Sequence, residues 1–345
     1  MARISVRRWI PIAAAVFAVA AGGDQLTAQQ WPATPPATPP ADWGPVSINL
    51  DEIPYPYPVK YFDLVRYDQP MRLAYMDVPA AGTPNGQTVV IFHGMNFYGE
   101  AYGATAEALS QAGFRVIVPD QIGYGRSSKP VVPYDFNFKV ANTKALLDSL
   151  GIERVAVVGH SMGGAVVSRW GMVYPDATTH VVMVNQIALT DQRIGRPWRE
   201  PRASISNDNN ATYQGILRNH QTYYPTWHPP HLEYVRRQYG QTLSGDWPSY
   251  AMVRALQSAM LYKDPVVYDW QHIKAKTLVM GGAQDGLTQN WDVLARGVSE
   301  TVPNATLLLY PGIGHNPQTE IPDRFHADLI RFLRSDPAQP ADQWQ

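Results

Sequence analysis

The stretch Val155-Ala156-Val157-Val158-Gly159-His160-Ser161-Met162-Gly163-Gly164 decides how the rest of the chain is read. Four apolar residues run without alternation, as in a strand covered on both faces, and Ala165–Tyr174 follows with a helical pattern. A serine on so tight a strand-to-helix turn is held in a strained conformation with its hydroxyl exposed. The glycines on either side are needed because a Cβ there would meet the neighbouring strand or helix. By itself a Gly-x-Ser-x-Gly match is cheap, with about a 10% chance of occurring somewhere at ordinary Gly and Ser frequencies. Its position between strand and helix makes it specific. A turn serine that merely caps a helix explains neither the glycines nor the placement.

Outward from this turn the same rhythm repeats. Apolar runs stand at Val89–Phe92, Val116–Val118, Val181–Val184, Leu278–Met280 and Leu307–Leu309. Segments of helical length and pattern, Thr105–Ala112, Val140–Leu150, Trp291–Val302 and Arg324–Leu333, lie between or after them. The alternation predicts an α/β fold with a mostly parallel, doubly wound sheet. Tyr61–Arg66 and Arg72–Val78 precede it and are expected to pair as an antiparallel edge. Between Val184 and Leu278 the rhythm breaks for about 90 residues, too long for a plain loop, and a helical cap inserted over the sheet is expected there. This interval holds 12 of the chain's 29 Trp and Tyr residues and none of its nine Phe. The expected layout is a core over 59–186 and 272–334, a cap over 187–271 and a flexible polar tail over 335–345.

Composition sets the outer limits. The chain has 345 residues, 45% of them apolar and 17% charged, with a formal net charge of −1 and no cysteine. That is enough apolar material for a large core. The near-neutral balance argues against nucleic-acid binding. The missing cysteines exclude disulfides, thiolate metal sites and a thiol nucleophile. Residues 1–28 read as a signal peptide: Arg3, Arg7 and Arg8 precede the uncharged stretch Ile10–Ala21, which is shorter than a bilayer span. Export to the periplasm or medium is expected, by the general secretory route rather than the twin-arginine one, with no stable membrane insertion once the leader is removed. Residues 29–58 form a proline-rich arm, with nine of the 30 prolines between Trp31 and Pro58. Its expected role is a polyproline-like spacer lying on the body through its Tyr rings.

A serine hydroxyl needs a base, and the base needs an orienting acid. In a sheet of this kind both stand on loops after later strands, in the chain order Ser, acid, His. Asp285 ends the loop after the Leu278 run, and His315 stands in the glycine-flanked loop after the Leu307 run. Ser161 is then the nucleophile, His315 the general base and Asp285 its orienting partner. Asn185, after the preceding run, cannot carry the charge. Two backbone N–H groups must meet the developing oxyanion. Met162 follows the serine and supplies one; Met95, in the loop His93–Gly99, is the choice for the other, with Asn96 second.

These residues carry a resemblance. His93-Gly94, Asp120–Ser127, Gly159–Gly164, Asp285 and Gly314-His315 together resemble the α/β-hydrolase fold superfamily, in its cap-bearing, serine-dependent branch. The resemblance spans roughly Tyr61 to Leu333. It implies a hydrolase of small or medium carboxylic esters or lactones, working through an acyl-enzyme without metal or cofactor. The haloalkane dehalogenases and epoxide hydrolases of this fold place Asp where Ser161 stands. Gly123–Gly125 lacks the Gly-Lys-Ser/Thr ending of a phosphate loop. The same triad also serves C–C bond, amide (iminopeptidase-like) and perhydrolase chemistry, and some receptors of the fold keep it with little turnover. An iminopeptidase would need cap carboxylates, for which Glu200, Asp208 and Glu233 are available. His228 and His231 flank two prolines and lack a third zinc ligand. The cap aromatics Tyr213, Tyr223, Tyr224, Trp227, Tyr234, Trp247, Tyr250 and Tyr262 are expected mainly to pack the cap, and in part to line a pocket with hydrogen-bonding ends. The partner expected is a small ester-like molecule.

Overall fold

A computed structural model describes residues 34–201, 203, 205 and 210–344. The leader read over residues 1–28 lies outside the described residues, as do the first positions of the arm. Eight strands form one sheet: β1 (Val59–Arg66), β2 (Gln69–Val78), β3 (Thr88–Phe92), β4 (Arg115–Pro119), β5 (Val155–His160), β6 (Thr178–Val184), β7 (Lys276–Gly282) and β8 (Ala305–Tyr310). Their order is β1-β2-β4-β3-β5-β6-β7-β8. β1 and β2 pair antiparallel, β2 runs antiparallel to β4, and the remaining pairs are parallel.

The non-alternating runs are explained by what covers them. In β5 and β7 every residue is buried. Val157 belongs to one apolar layer with Trp170 and Leu146, and Val158 to the opposite layer with Leu109, Phe325 and Leu329. The first layer is supplied by α2 (Phe136–Ser149), α3 (Met162–Val173) and α7 (Trp291–Thr301), the second by α1 (Gly103–Gln111) and α9 (Pro322–Arg334). Helices thus cover both faces, and no position of β3, β4, β5, β6 or β7 is exposed. The doubly wound sheet is present as the sequence predicts. Its register sets Phe92 beside Gly159, His160 beside Val184, Val184 beside Met280 and Gly282 beside Tyr310. The carboxyl ends of five strands therefore stop at one edge, and their loops open there together.

Between β6 and β7 the chain forms α4 (Tyr213–Gln221), α5 (Leu232–Thr242) and α6 (Trp247–Lys263). A short helical turn, α8 (Pro317–Glu320), follows the β8 loop. The arm differs from a surface spacer. Val46, Leu50 and Ile53 are buried in the main core, and Trp43 is buried with Tyr213, Ile216, Leu217, Leu232 and Val235 of α4 and α5. Val46 N–H donates to Gly240 O at 2.9 Å, and the Tyr213 hydroxyl donates to Pro36 O at 2.8 Å. Tyr55 donates to Asp120 at 2.6 Å while Arg126 stacks over its ring. Four apolar side chains among the prolines make this segment a strap that joins cap to core. The expected flexible tail is corrected too. Ala341 and Trp344 are buried, Trp344 packs edge-on against Phe332, and Ala341 N–H donates to Asn304 at 2.7 Å. The buried indole, the Asn304 bond and the Lys276 ammonium bonded to Asp336 O at 3.1 Å together hold the segment on the body.

Candidate active site

Ser161 follows the last residue of β5 and caps α3 with φ +57° and ψ −118°, a left-handed region that a non-glycine residue occupies at a cost. The surroundings hold it there. Its N–H donates to Val184 O at 2.9 Å, and its carbonyl accepts from Gly164 N–H at 3.0 Å and Ile187 N–H at 3.2 Å. A Cβ on Gly159 would fall 2.1 Å from Gly163 O, and one on Gly163 would fall 2.0 Å from Phe92 O. Both flanking glycines are therefore required by backbone contacts, as the sequence reading argued.

Asp285 and His315 meet at the ends of β7 and β8. His315 Nδ1 lies 2.6 Å from Asp285 Oδ2, with both side chains buried. The carboxylate also accepts N–H bonds from Leu287 at 2.8 Å and Thr288 at 3.2 Å, both on Oδ1. Asn185 Nδ2 donates to Oδ2 at 3.0 Å. Burial alone would raise this carboxyl, but the His315 charge and hydrogen bond, then Asn185 and the Leu287 amide, outweigh it and hold it below the usual carboxylate range. Asn185 is a residue whose positive part the sequence did not disclose. Its Oδ1 accepts Gly282 N–H at 2.9 Å, so its amide orientation is fixed and its Nδ2 faces the acid.

Two further histidines brace the site from behind. His93 Nε2 accepts Gln121 N–H at 3.0 Å, so its Nδ1 carries the proton and donates to Gly94 O at 2.7 Å. That bond pins the loop that passes Ser161: a Cβ on Gly94 would lie 3.0 Å from Ser161 Cβ. His160 donates through Nε2 to His315 O at 2.8 Å and accepts the Tyr102 hydroxyl on Nδ1 at 2.7 Å. Burial lowers His93 to about 4 and His160 to about 3, so both stay neutral and keep these tautomers. Among the described residues, no backbone hydrogen bond takes up the Met95 or Met162 amide. Ser161, His315 and Met95 share the wall of one cavity of about 860 Å³, under the cap.

A sequence profile of the alpha/beta hydrolase fold matches residues 87–322. The chain belongs to the α/β-hydrolase fold family. A solved structure from Pseudomonas aeruginosa PAO1, described as a probable hydrolytic enzyme, is 34% identical to this hydrolase. It superposes with a TM-score of 0.82 over 85% of this chain and 99% of its own. RutD of Caulobacter sp. strain K31, a protein assigned as a carbamate hydrolase, is 28% identical over 76% of this chain and 97% of its own. A non-heme haloperoxidase of Rhodococcus erythropolis is 25% identical over 73% and 93% respectively.

Other sequence candidates fall elsewhere in the hydrolase. Of the eight cap aromatics, only Tyr223 is among the described residues lining this cavity; Tyr250 and Trp247 pack in the core, and Trp43 of the strap covers Tyr213. His231 stacks on Tyr224 with centroids 3.6 Å apart and stands edge-on to His228. Among the described residues no three His, Cys, Asp or Glu side chains form a metal-binding group. No helix among them is long and apolar enough to cross a membrane. Glu233 is engaged by Arg236 and Arg237, Glu200 lies in an exposed stretch, and Asp208 lies outside the described residues. No carboxylate stands among the described lining residues, whereas Arg196, Arg254 and several side-chain amides do.

Proposed function

We propose that this α/β hydrolase is a serine enzyme that cleaves a small or medium carboxylic ester or lactone. The observation carrying the proposal is the meeting at one cavity of a strained Ser161 and an Asp285-bound His315, with Met95 in the same wall. Ser161 Oγ attacks the carbonyl carbon while His315 Nε2 takes its proton. The oxygen gains the electron pair and is held by the N–H groups of Met95 and Met162. Collapse of the adduct expels the alcohol, which receives the proton from His315. Water, giving its proton to the same imidazole, then attacks the acyl carbon, and the acid leaves as Ser161 Oγ takes that proton back. Asp285 holds the imidazole through Nδ1 and stabilises its charge in both halves. The step needs neither metal nor cofactor.

A fluorophosphonate label and a panel of p-nitrophenyl acyl esters, lactones and amino-acid anilides test this. Wild type should label and turn over esters, and Ser161→Ala should do neither; equal labelling of both proteins sinks the reading. A second reading, peroxide-dependent perhydrolysis, is favoured by the haloperoxidase name of the Rhodococcus relative. Bromination of monochlorodimedone in peroxide, acetate and bromide, through peracid oxidation of the bromide, would reveal it. The basic, apolar leader over residues 1–28 supports export of the enzyme, and fractionation of cells expressing the chain with and without it provides the check.

A further inference from the structure

We infer that Tyr223, a cap residue, is a positioning residue for His315, so that the cap helps to build the active site as well as cover it. The inference rests on the serine-hydrolase reading above. The turn after α4 passes between the two loops that bear Asp285 and His315. A Cβ on Gly286 would fall 2.4 Å from Thr222 O, and one on Gly314 would fall 2.3 Å from Tyr223 O. Both loops are thus glycine where the cap backbone enters. Tyr223 O accepts the His315 N–H at 2.7 Å. The Tyr223 ring stacks on the imidazole, with centroids 5.3 Å apart and planes inclined by 29°. The hydroxyl of Tyr223 accepts from Asn96 Nδ2 at 2.7 Å and Asn219 Nδ2 at 2.9 Å. Arg254 donates to Asn96 Oδ1 at 3.3 Å, which turns the Asn96 amide nitrogen toward the tyrosine.

One side chain therefore links the base to the loop that holds Met95. Asp285 and His160 fix an edge of the imidazole and its backbone carbonyl from the sheet; Tyr223 fixes a face and the backbone N–H from the cap. Without the ring, the imidazole can tilt about its bond to Asp285, and tilt moves Nε2 away from the serine. A residue that only shaped the substrate pocket would alter KM, most of all for bulky acyl groups. A residue that positions the base alters kcat even for the smallest ester.

The experiment compares Tyr223→Leu and Tyr223→Phe with wild type on p-nitrophenyl acetate. Rates are divided by the active sites titrated with a fluorophosphonate, so that misfolded protein drops out. Tyr223→Leu should lower kcat about tenfold or more, with KM within about twofold, because small misplacement of a reacting group is costly. Tyr223→Phe keeps the ring and should recover most of that loss, short only of the hydroxyl tie to Asn96. An unchanged kcat in Tyr223→Leu, an effect confined to KM, or a phenylalanine variant no better than leucine overturns the inference. In each of those cases the wild type still labels and turns over the ester. A wild type that does neither overturns the serine-hydrolase reading as well.

Discussion

Replacing Asn185 by Asp keeps the shape of the side chain and suits the left-handed backbone at that position, where φ is +39°. It turns a donor into a second carboxyl. Asn185 Nδ2 stands 3.0 Å from Asp285 Oδ2. Two carboxylates at about that separation repel by roughly 5 kcal/mol at an effective dielectric of about 20. At about 1.4 kcal/mol per unit this is roughly 4 pKa units, so the pair keeps one proton up to about pH 8. While that proton remains, the new carboxyl donates to Asp285 as the amide did, and turnover continues. Once it leaves, Asp285 faces a like charge and its loop is pushed from His315. In Asn185→Asp, kcat/KM for a p-nitrophenyl ester measured from pH 5 to 9 should gain an alkaline limb near about pH 8, falling roughly tenfold per pH unit and absent from wild type. Relative to wild type, its urea stability should fall by up to about 1.4 kcal/mol per pH unit from about pH 4 to about pH 8 and level off above, because over that range the folded pair holds a proton that the unfolded chain has released. A profile matching wild type up to pH 9 would refute the role given to Asn185. Activity lost at every pH would place the shared proton on Asp285 and refute the rest of the argument.

Two further predictions concern the scaffold. Trp43→Ala removes a buried indole packed edge-on to Tyr213. Loss of about 3 kcal/mol of packing should release the strap, read as faster amide hydrogen exchange at Val46 and in α4 and α5; unchanged exchange there would show that the strap does not depend on this anchor. Lys139 is buried, donates to Gln257 at 2.7 Å, and is lowered by burial to about 7. From there up to its ordinary value near 10, the unfolded chain binds more protons at this site, so the group's contribution to stability rises with pH. The stability of wild type minus that of Lys139→Met should therefore shift in favour of wild type, by up to about 1.4 kcal/mol per unit, between pH 7 and 10. A difference independent of pH across that range would mean that the ammonium is not held in a dry site.

The sheet is legible in the sequence because burial on both faces leaves no polar alternation in β3 to β7. Ser161, Asp285 and His315 can be nominated because each stands in the first loop after an apolar run, and parallel register sets those loops side by side. Contacts between segments far apart in the chain are a different matter. Asn185 reads only as a residue unable to carry charge, since nothing near it in sequence shows that its Nδ2 meets Asp285. His160 looks like the variable position of a motif, yet it holds the His315 carbonyl. Tyr223 is one aromatic residue among many in the cap, and its spacing says nothing of the two glycine loops that admit it. The strap shows the same limit: proline predicts its extended backbone, but no local pattern names the partners of Trp43, Val46, Leu50 and Ile53.

The strap also bears on how the chain assembles. Its bond from Tyr213 to Pro36 closes a separation of 177 residues, so during synthesis the strap emerges long before the helices that receive it. Contacts of such range form late, because the entropy of closing the loop must be met first. In the interval its apolar residues are exposed to other chains. Proline offers no N–H to a stray strand and cannot enter a helix interior, and nine prolines fall between Trp31 and Pro58. A composition that first reads as a spacer thus keeps an early, sticky segment extended and unpaired until its partners in the cap exist.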